Sequence, residues 1–94
     1  MLEKQIESKV CDYAKSQGML AYKFTSPARM AVPDRLLITV TGTVFFIEFK
    51  QTGKKPTPAQ AREHLRLMEQ QVKVFVVDDV DKGKDVINYM NNQL

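Results

Sequence analysis

The chain has 94 residues, of which 44% are hydrophobic. This length and composition predict one small domain spanning residues 1–94. It contains one cysteine and one histidine, which excludes an internal disulfide and a zinc site built from Cys and His. A net charge of +3 suits a polyanionic partner without requiring one. There is no apolar run of about 18 residues and no secretory segment at the N-terminus, which predicts a cytoplasmic protein with no membrane partner.

The first third of the chain is predicted to form a helix, a strand and a loop. Residues 2–17 carry apolar side chains at spacings of three and four, the pattern of an amphipathic helix, and Gly18 is a typical stop. Residues 19–25 alternate as a strand does. Two prolines bracket a stretch without periodicity, so residues 26–33 are predicted to be a loop.

Two β-rich runs, 35–41 and 43–50, meet at Thr41-Gly42 and predict a hairpin. Their continuous apolar character predicts central strands that are covered on both faces. Because side chains alternate along a strand, Phe46, Glu48 and Lys50 should share one face of the second strand.

A second helix is predicted from Pro58 to about residue 71, with Thr57 as its N-cap. Its apolar stripe contains Ala61, Leu65 and Met68. The only histidine, His64, falls on the polar flank of this helix and is interpreted as a structural or solvated side chain.

The wholly apolar run 72–77 predicts a strand, residues 77–84 a turn, and residues 85–92 a short closing helix. A strand that follows a helix implies a crossover and hence a parallel or mixed sheet. The order α-β-β-β-α-β-α therefore predicts an α/β fold in which a mixed four-stranded sheet is flanked by helices.

Two carboxylates are expected to meet at one end of the hairpin. Asp34 begins the first strand and Glu48 lies near the end of the second, and around a turn at Gly42 position 34 should fall opposite position 49 or 50. Carboxylates are the hard oxygen ligands that Mg²⁺ selects, and the backbone carbonyl of Phe49 would be close enough to add a further ligand.

Lys50 follows Glu48 by two residues and should point to the same face. There it can orient or deprotonate an attacking water, or stabilise charge that develops on a phosphate. The simplest alternative is an ion pair on the sheet surface, between Glu48 and Lys50 or Arg35.

Pro33-Asp34 followed by Glu48-Phe49-Lys50 resembles the PD-(D/E)xK nucleases of the restriction-endonuclease-like fold, and the finer pattern is similar to their VRR-NUC branch, the virus-type replication-repair nucleases. The likeness extends over roughly residues 3–80 and includes LEKQIESKV, YKFTSPARMAVPDR, VFFIEFK, QTGKKPTPAQAREHLRL and VKVFVVDDV. The chain departs from the family at Ala31-Val32, where a glycine is usual, which predicts a stiffer loop with the same chemistry.

The resemblance implies that Asp34 and Glu48 bind Mg²⁺ or Mn²⁺ and that Lys50 is the catalytic lysine. A glutamate of the first helix would complete the site. Glu3 is the better match to that position, and Glu7 remains open because both border the apolar face of the helix.

Gln60 matches the glutamine that begins the helix after Glu-x-Lys. It would bond to the catalytic lysine, a water or a phosphate, unless it serves only the helix start. The basic side chains expected to contact DNA phosphates are those of Arg29, Arg35, Lys54 and Lys55.

The resemblance further implies a structure-selective DNA endonuclease of phage or prophage origin, similar in size and layout to Holliday-junction resolvases. Such an enzyme would cut a four-way junction as a homodimer and would need no small-molecule cofactor. Three alternatives remain open: a flap or nicking nuclease of the same fold, a non-catalytic nucleic-acid-binding module, and a structural domain with chance ion pairs.

Overall fold

The computed structural model describes residues 1–93, and within them it confirms the predicted element order and the mixed four-stranded sheet. No helix in this range has the length and apolar character needed to cross a membrane. The elements are α1 Glu3–Ser16, β1 Leu20–Lys23, β2 Arg35–Ile38, β3 Val44–Phe49, α2 Pro58–Glu69, β4 Lys73–Val77 and α3 Val80–Asn91.

The strands lie side by side in chain order, with β1–β2 and β2–β3 antiparallel and β3–β4 parallel through the α2 crossover. The hairpin register pairs Arg35 with Ile47, and continuing it by one residue brings Asp34 opposite Glu48. The predicted partner at position 49 or 50 is therefore wrong by one or two residues. The turn sets this register, because Thr39 N–H donates to the Thr43 carbonyl at 2.9 Å, which leaves three residues in the loop.

One face of the sheet, here called the core face, packs against α1 and α3. Phe45, Ile47 and Phe49 of β3 point to it and are fully buried. Each such side chain stabilises the fold by about 1.5–3 kcal/mol. Gly83 lets α3 close on α1, since a Cβ there would lie only 2.3 Å from Val10 Cγ2.

Helix α3 begins five residues before the predicted position, so the prediction of a turn over residues 77–84 is wrong. The side chain of Asp79 accepts a hydrogen bond from Lys82 N–H at 3.1 Å, which is an N-cap. The sequence Asp81-Lys82-Gly83-Lys84 after Asp79 is typical of a turn, which is why the sequence pattern did not predict this helix start.

The opposite face of the sheet, here called the site face, carries Phe46 and Glu48 and is covered by α2 at one end. Leu65 and Met68, predicted to be buried on α2, are 59% and 49% exposed. Glu63 and His64 are buried instead, so the helix is rotated relative to its apolar stripe.

The site face is open at its other end. Val44, next to the hairpin turn, is 44% exposed, so the prediction that both faces of the hairpin are covered is wrong there. Tyr22 is 54% exposed on the same face. Cys11 is buried on α1 and is not in a disulfide.

Candidate active site

Asp34 and Glu48 meet on the site face, at the end of the hairpin farthest from its turn. Asp34 Oδ2 accepts a hydrogen bond from Phe49 N–H at 2.7 Å. Its own carbonyl accepts from Phe24 N–H at 2.9 Å, so backbone and side chain are both fixed where the loop joins β2. Glu48 is only 2% exposed.

The surroundings of Glu48 strongly perturb its carboxyl group. Burial first, and then the neighbouring Asp34 carboxylate, raise the pKa of Glu48 to about 8, although the positive charge of Lys50 acts in the opposite direction. Lys50 Nζ lies 3.8 Å from Glu48 Oε2. Glu48 therefore holds a proton at neutral pH in the metal-free protein.

Gln60 links the start of α2 to this carboxylate. Its Oε1 accepts from Thr57 N–H at 2.9 Å and its backbone N–H donates to Thr57 Oγ1 at 3.2 Å, which is a capping box. Its Nε2 donates to Glu48 Oε2 at 3.3 Å. Gln60 thus serves the helix start and also contacts the site, through Glu48 and not through Lys50.

His64 contacts the site as well, so its interpretation as a side chain on the polar flank is wrong. It is 6% exposed, and its Nε2 lies 3.6 Å from Glu48 Oε1. Burial lowers the pKa of His64 and the charge of Lys50 lowers it further, which favours the neutral imidazole. The available signal was spacing: residues four apart share a helix face, and Gln60 already matched a site position.

The two glutamates of α1 have different surroundings. Glu7 Oε2 pairs with Arg35 Nε at 2.6 Å and lies 3.9 Å from Lys23 Nζ, so this carboxylate is already neutralised. Glu3, in the first turn of α1, is close enough for its charge to raise the pKa of Glu48. Glu3 therefore stays the proposed first-helix carboxylate, and Arg35, predicted to contact phosphate, is paired with Glu7.

The donor set fits a hard divalent cation. Within residues 1–93, no three His, Cys, Asp or Glu side chains form a metal-binding group, so the site offers the pair Asp34 and Glu48. Mg²⁺ commonly takes one or two carboxylates and completes its shell with water and phosphate oxygens. Two adjacent carboxylates that retain a proton at neutral pH are well suited to exchange it for such a cation.

Basic side chains lie on the 28–31 loop, on α2 and on the loop after β3. Arg29 Nε and Arg66 Nε lie 2.8 Å and 3.6 Å from the same buried oxygen, Glu63 Oε1. Together with Arg62 they line a cleft of about 370 Å³ between the 28–31 loop and α2. Exposed lysines follow β3, at positions 54 and 55.

The fold, the carboxylate pair and the nearby lysine define a nuclease of the restriction-endonuclease-like class. No protein-family model matches the chain. A solved VRR_NUC domain superposes with a TM-score of 0.85 at 30% identity, covering 93% of this chain and 95% of that one. The chain is also 44% identical to "Putative nuclease p44" of Acyrthosiphon pisum secondary endosymbiont phage 1 over 79 residues, 84% of this chain and 85% of that protein. This chain belongs to the VRR-NUC family of nucleases.

Proposed function

We propose that this nuclease is a Mg²⁺- or Mn²⁺-dependent endonuclease that hydrolyses phosphodiester bonds of branched DNA as a homodimer. The observation that carries the proposal is the buried Glu48 beside Asp34, with Lys50 3.8 Å from Glu48 Oε2. The alternative of a chance surface ion pair is disfavoured because Glu48 is 2% exposed and its partners Gln60 and Lys50 lie on α2 and directly after β3.

Asp34 and Glu48 would hold the cation, with the Phe49 carbonyl and Glu3 as further candidates. When bound, the cation supplies charge neutralisation at the phosphate and lowers the pKa of a bound water. The hydrogen bond from Phe49 N–H to Oδ2 fixes the orientation of the Asp34 carboxylate, which supports this role. Lys50, whose side chain is 14% exposed, can donate to the attacking water or to a phosphate oxygen.

The DNA path proposed here runs across the basic side chains that flank the site. Lys54 and Lys55 lie on the loop between β3 and α2, and this loop is held by Gly53 N–H donating to Asp78 Oδ2 at 3.1 Å. The proposed path also includes the cleft lined by Arg29, Arg62 and Arg66. A chain of this size has little surface for reading bases, so phosphate contacts and DNA shape should dominate recognition.

The proposed dimer forms through the open end of the site face. Leu20, Ile38 and Val44 lie side by side in register across three strands, with Leu20 50% exposed and Val44 44% exposed. Tyr22 continues the same surface and is 54% exposed. A contiguous apolar surface suits a protein partner and not a phosphate backbone. Two-fold pairing would give two sites for two strands of a junction, in a bacterial or phage-infected cytoplasm.

The dimer is tested by sedimentation velocity of two matched variants. Leu20→Lys should give a monomer, because it places a charge in the proposed interface. Leu65→Lys, which alters a leucine on α2 that is 59% exposed, should leave the dimer intact. A monomeric wild-type protein at tens of micromolar, or a dimer lost only in Leu65→Lys, would contradict this arrangement.

The activity is tested by Mn²⁺-dependent cleavage of synthetic four-way junctions, flaps, nicked duplexes and linear duplexes. Asp34→Ala, Glu48→Ala and Lys50→Ala should abolish cleavage, while Lys9→Ala, an exposed lysine on α1, should cut as the wild type does. Preferential cutting of flaps or nicked duplexes would contradict the junction proposal and favour a flap or nicking nuclease of the same fold. Binding without cleavage of any substrate would favour the non-catalytic module.

A further inference from the structure

Two buried polar atoms face each other across a short gap, and neither has a hydrogen-bond partner. They are Glu48 Oε1 and His64 Nε2, separated by 3.6 Å. Of the described residues only Asn91, outside this site, contributes another such atom. A buried polar atom without a partner destabilises the fold, so such atoms call for an explanation.

His64 is held firmly enough to act on Glu48. Its side chain is 8% exposed, and it lies one helical turn after Gln60, on the same face of α2. The helix start is itself fixed by Thr57 and Pro58. His64 and Gln60 therefore approach the two different oxygens of one carboxylate, Oε1 and Oε2 respectively.

The imidazole faces a carboxylate and is shut off from solvent, which makes it unsuited to exchange protons with a substrate. A neutral imidazole carries one N–H. When Glu48 is ionised, as it would be with a cation bound, its oxygen at 3.6 Å favours Nε2 as the place for that N–H. A movement of under about 1 Å brings that pair to hydrogen-bond distance.

We propose that His64 is a positioning residue of the nuclease site, which donates from Nε2 to Glu48 Oε1 and so fixes the carboxylate that would hold the divalent cation. The proposal rests on the proposed metal-dependent function. With Gln60 on the other oxygen, α2 would give one hydrogen bond to each oxygen of Glu48 and leave the remaining lone pairs for the cation, so the helix that follows Glu-x-Lys orients the ligand. Partners of this kind commonly affect metal affinity about 10–100-fold.

The test is Mn²⁺ affinity without DNA, measured by calorimetry on three variants, together with the Tm of each in EDTA. A glutamine places its Nε2 close to the position of the histidine Nε2, whereas an asparagine places its amide nitrogen near the histidine Nδ1. His64→Gln should therefore keep Mn²⁺ affinity within about threefold, while His64→Asn and His64→Leu should weaken it about 10–100-fold.

Leu65→Ala, a change at an exposed position next to His64, is the control and should leave Mn²⁺ affinity unchanged. Equal Mn²⁺ affinity of wild type and His64→Asn would overturn the proposal. Equal losses in His64→Gln and His64→Asn, in step with falling Tm, would also overturn it, because His64 would then only fill space. If His64→Leu does not fold, the difference in Mn²⁺ affinity between His64→Gln and His64→Asn decides the test.

The wild-type protein separates this inference from the function on which it rests. If the wild type neither binds Mn²⁺ nor cleaves DNA, the proposed metal-dependent function fails before any variant is considered. If the wild type binds and cleaves and His64→Asn does so equally well, the function stands and only the role of His64 is contradicted.

Discussion

The two faces of the sheet bury very different side chains on the same strand. On the core face, Phe45, Ile47 and Phe49 of β3 are fully buried against apolar side chains of α1 and α3. On the site face, the residue between two of them, Glu48, is buried to the same extent against polar side chains of α2. The core face therefore stabilises the fold, whereas the site face buries a carboxylate at a cost in stability because its charge is poorly solvated there.

The largest loss of stability is expected on the core face. Phe45→Ala should lower the free energy of unfolding by about 3–5 kcal/mol, because it leaves a cavity beneath fully buried neighbours. Urea or guanidinium titration in EDTA measures the change. A loss below about 1 kcal/mol would mean that this face is less tightly packed than the structure shows.

On the site face, we expect a substitution of Glu48 to remove activity without lowering stability. Glu48→Gln should slow cleavage by about 10³-fold or more, since each tenfold corresponds to about 1.4 kcal/mol and a metal ligand contributes several. Its Tm in EDTA should equal or exceed that of wild type, because a buried carboxyl with a raised pKa is replaced by a neutral amide. A clear drop in Tm would show that Glu48 is needed for the fold.

The metal-free protein should lose stability as the pH rises. The unfolded chain releases the Glu48 proton near pH 4.5, whereas the folded chain keeps it until about pH 8, so between these values the folded state binds more protons. The free energy of unfolding should fall with a slope of up to about 1.4 kcal/mol per pH unit. Denaturant titrations of wild type and Glu48→Gln in EDTA check this, because the variant should lack that component of the slope.

A smaller effect is expected at the start of α2, which contributes both to stability and to the position of Gln60 beside Glu48. Thr57→Ala removes an N-cap and should cost about 1 kcal/mol of stability. Because the same capping box holds Gln60 against Glu48, the variant should also weaken Mn²⁺ binding. Asp79→Ala, which removes the N-cap of α3, should match the stability loss and leave Mn²⁺ affinity unchanged.

Local patterns predicted the alternation of β3 and the meeting of Asp34 with Glu48, because strand period and hairpin geometry are local properties. The register was missed by one or two positions, since it depends on how many residues the turn uses. The rotation of α2 was missed because Leu65 and Met68 form its most apolar stripe, yet packing turns Gln60 and His64 toward Glu48. Tertiary contacts of a buried carboxylate overrode hydrophobic periodicity, and the spacing of four between Gln60 and His64 was the one local sign of them.

The most direct test of the carboxylate pair as a cation site is the number of protons released when Mn²⁺ binds, measured by calorimetry in buffers of different ionisation enthalpy. With the pKa of Glu48 raised to about 8, wild-type protein should release close to one proton per bound ion at pH 7 and far fewer at pH 9. Glu48→Gln should bind Mn²⁺ weakly, without this release. Undiminished binding by Glu48→Gln, or binding by wild type at pH 7 without proton release, would contradict the account.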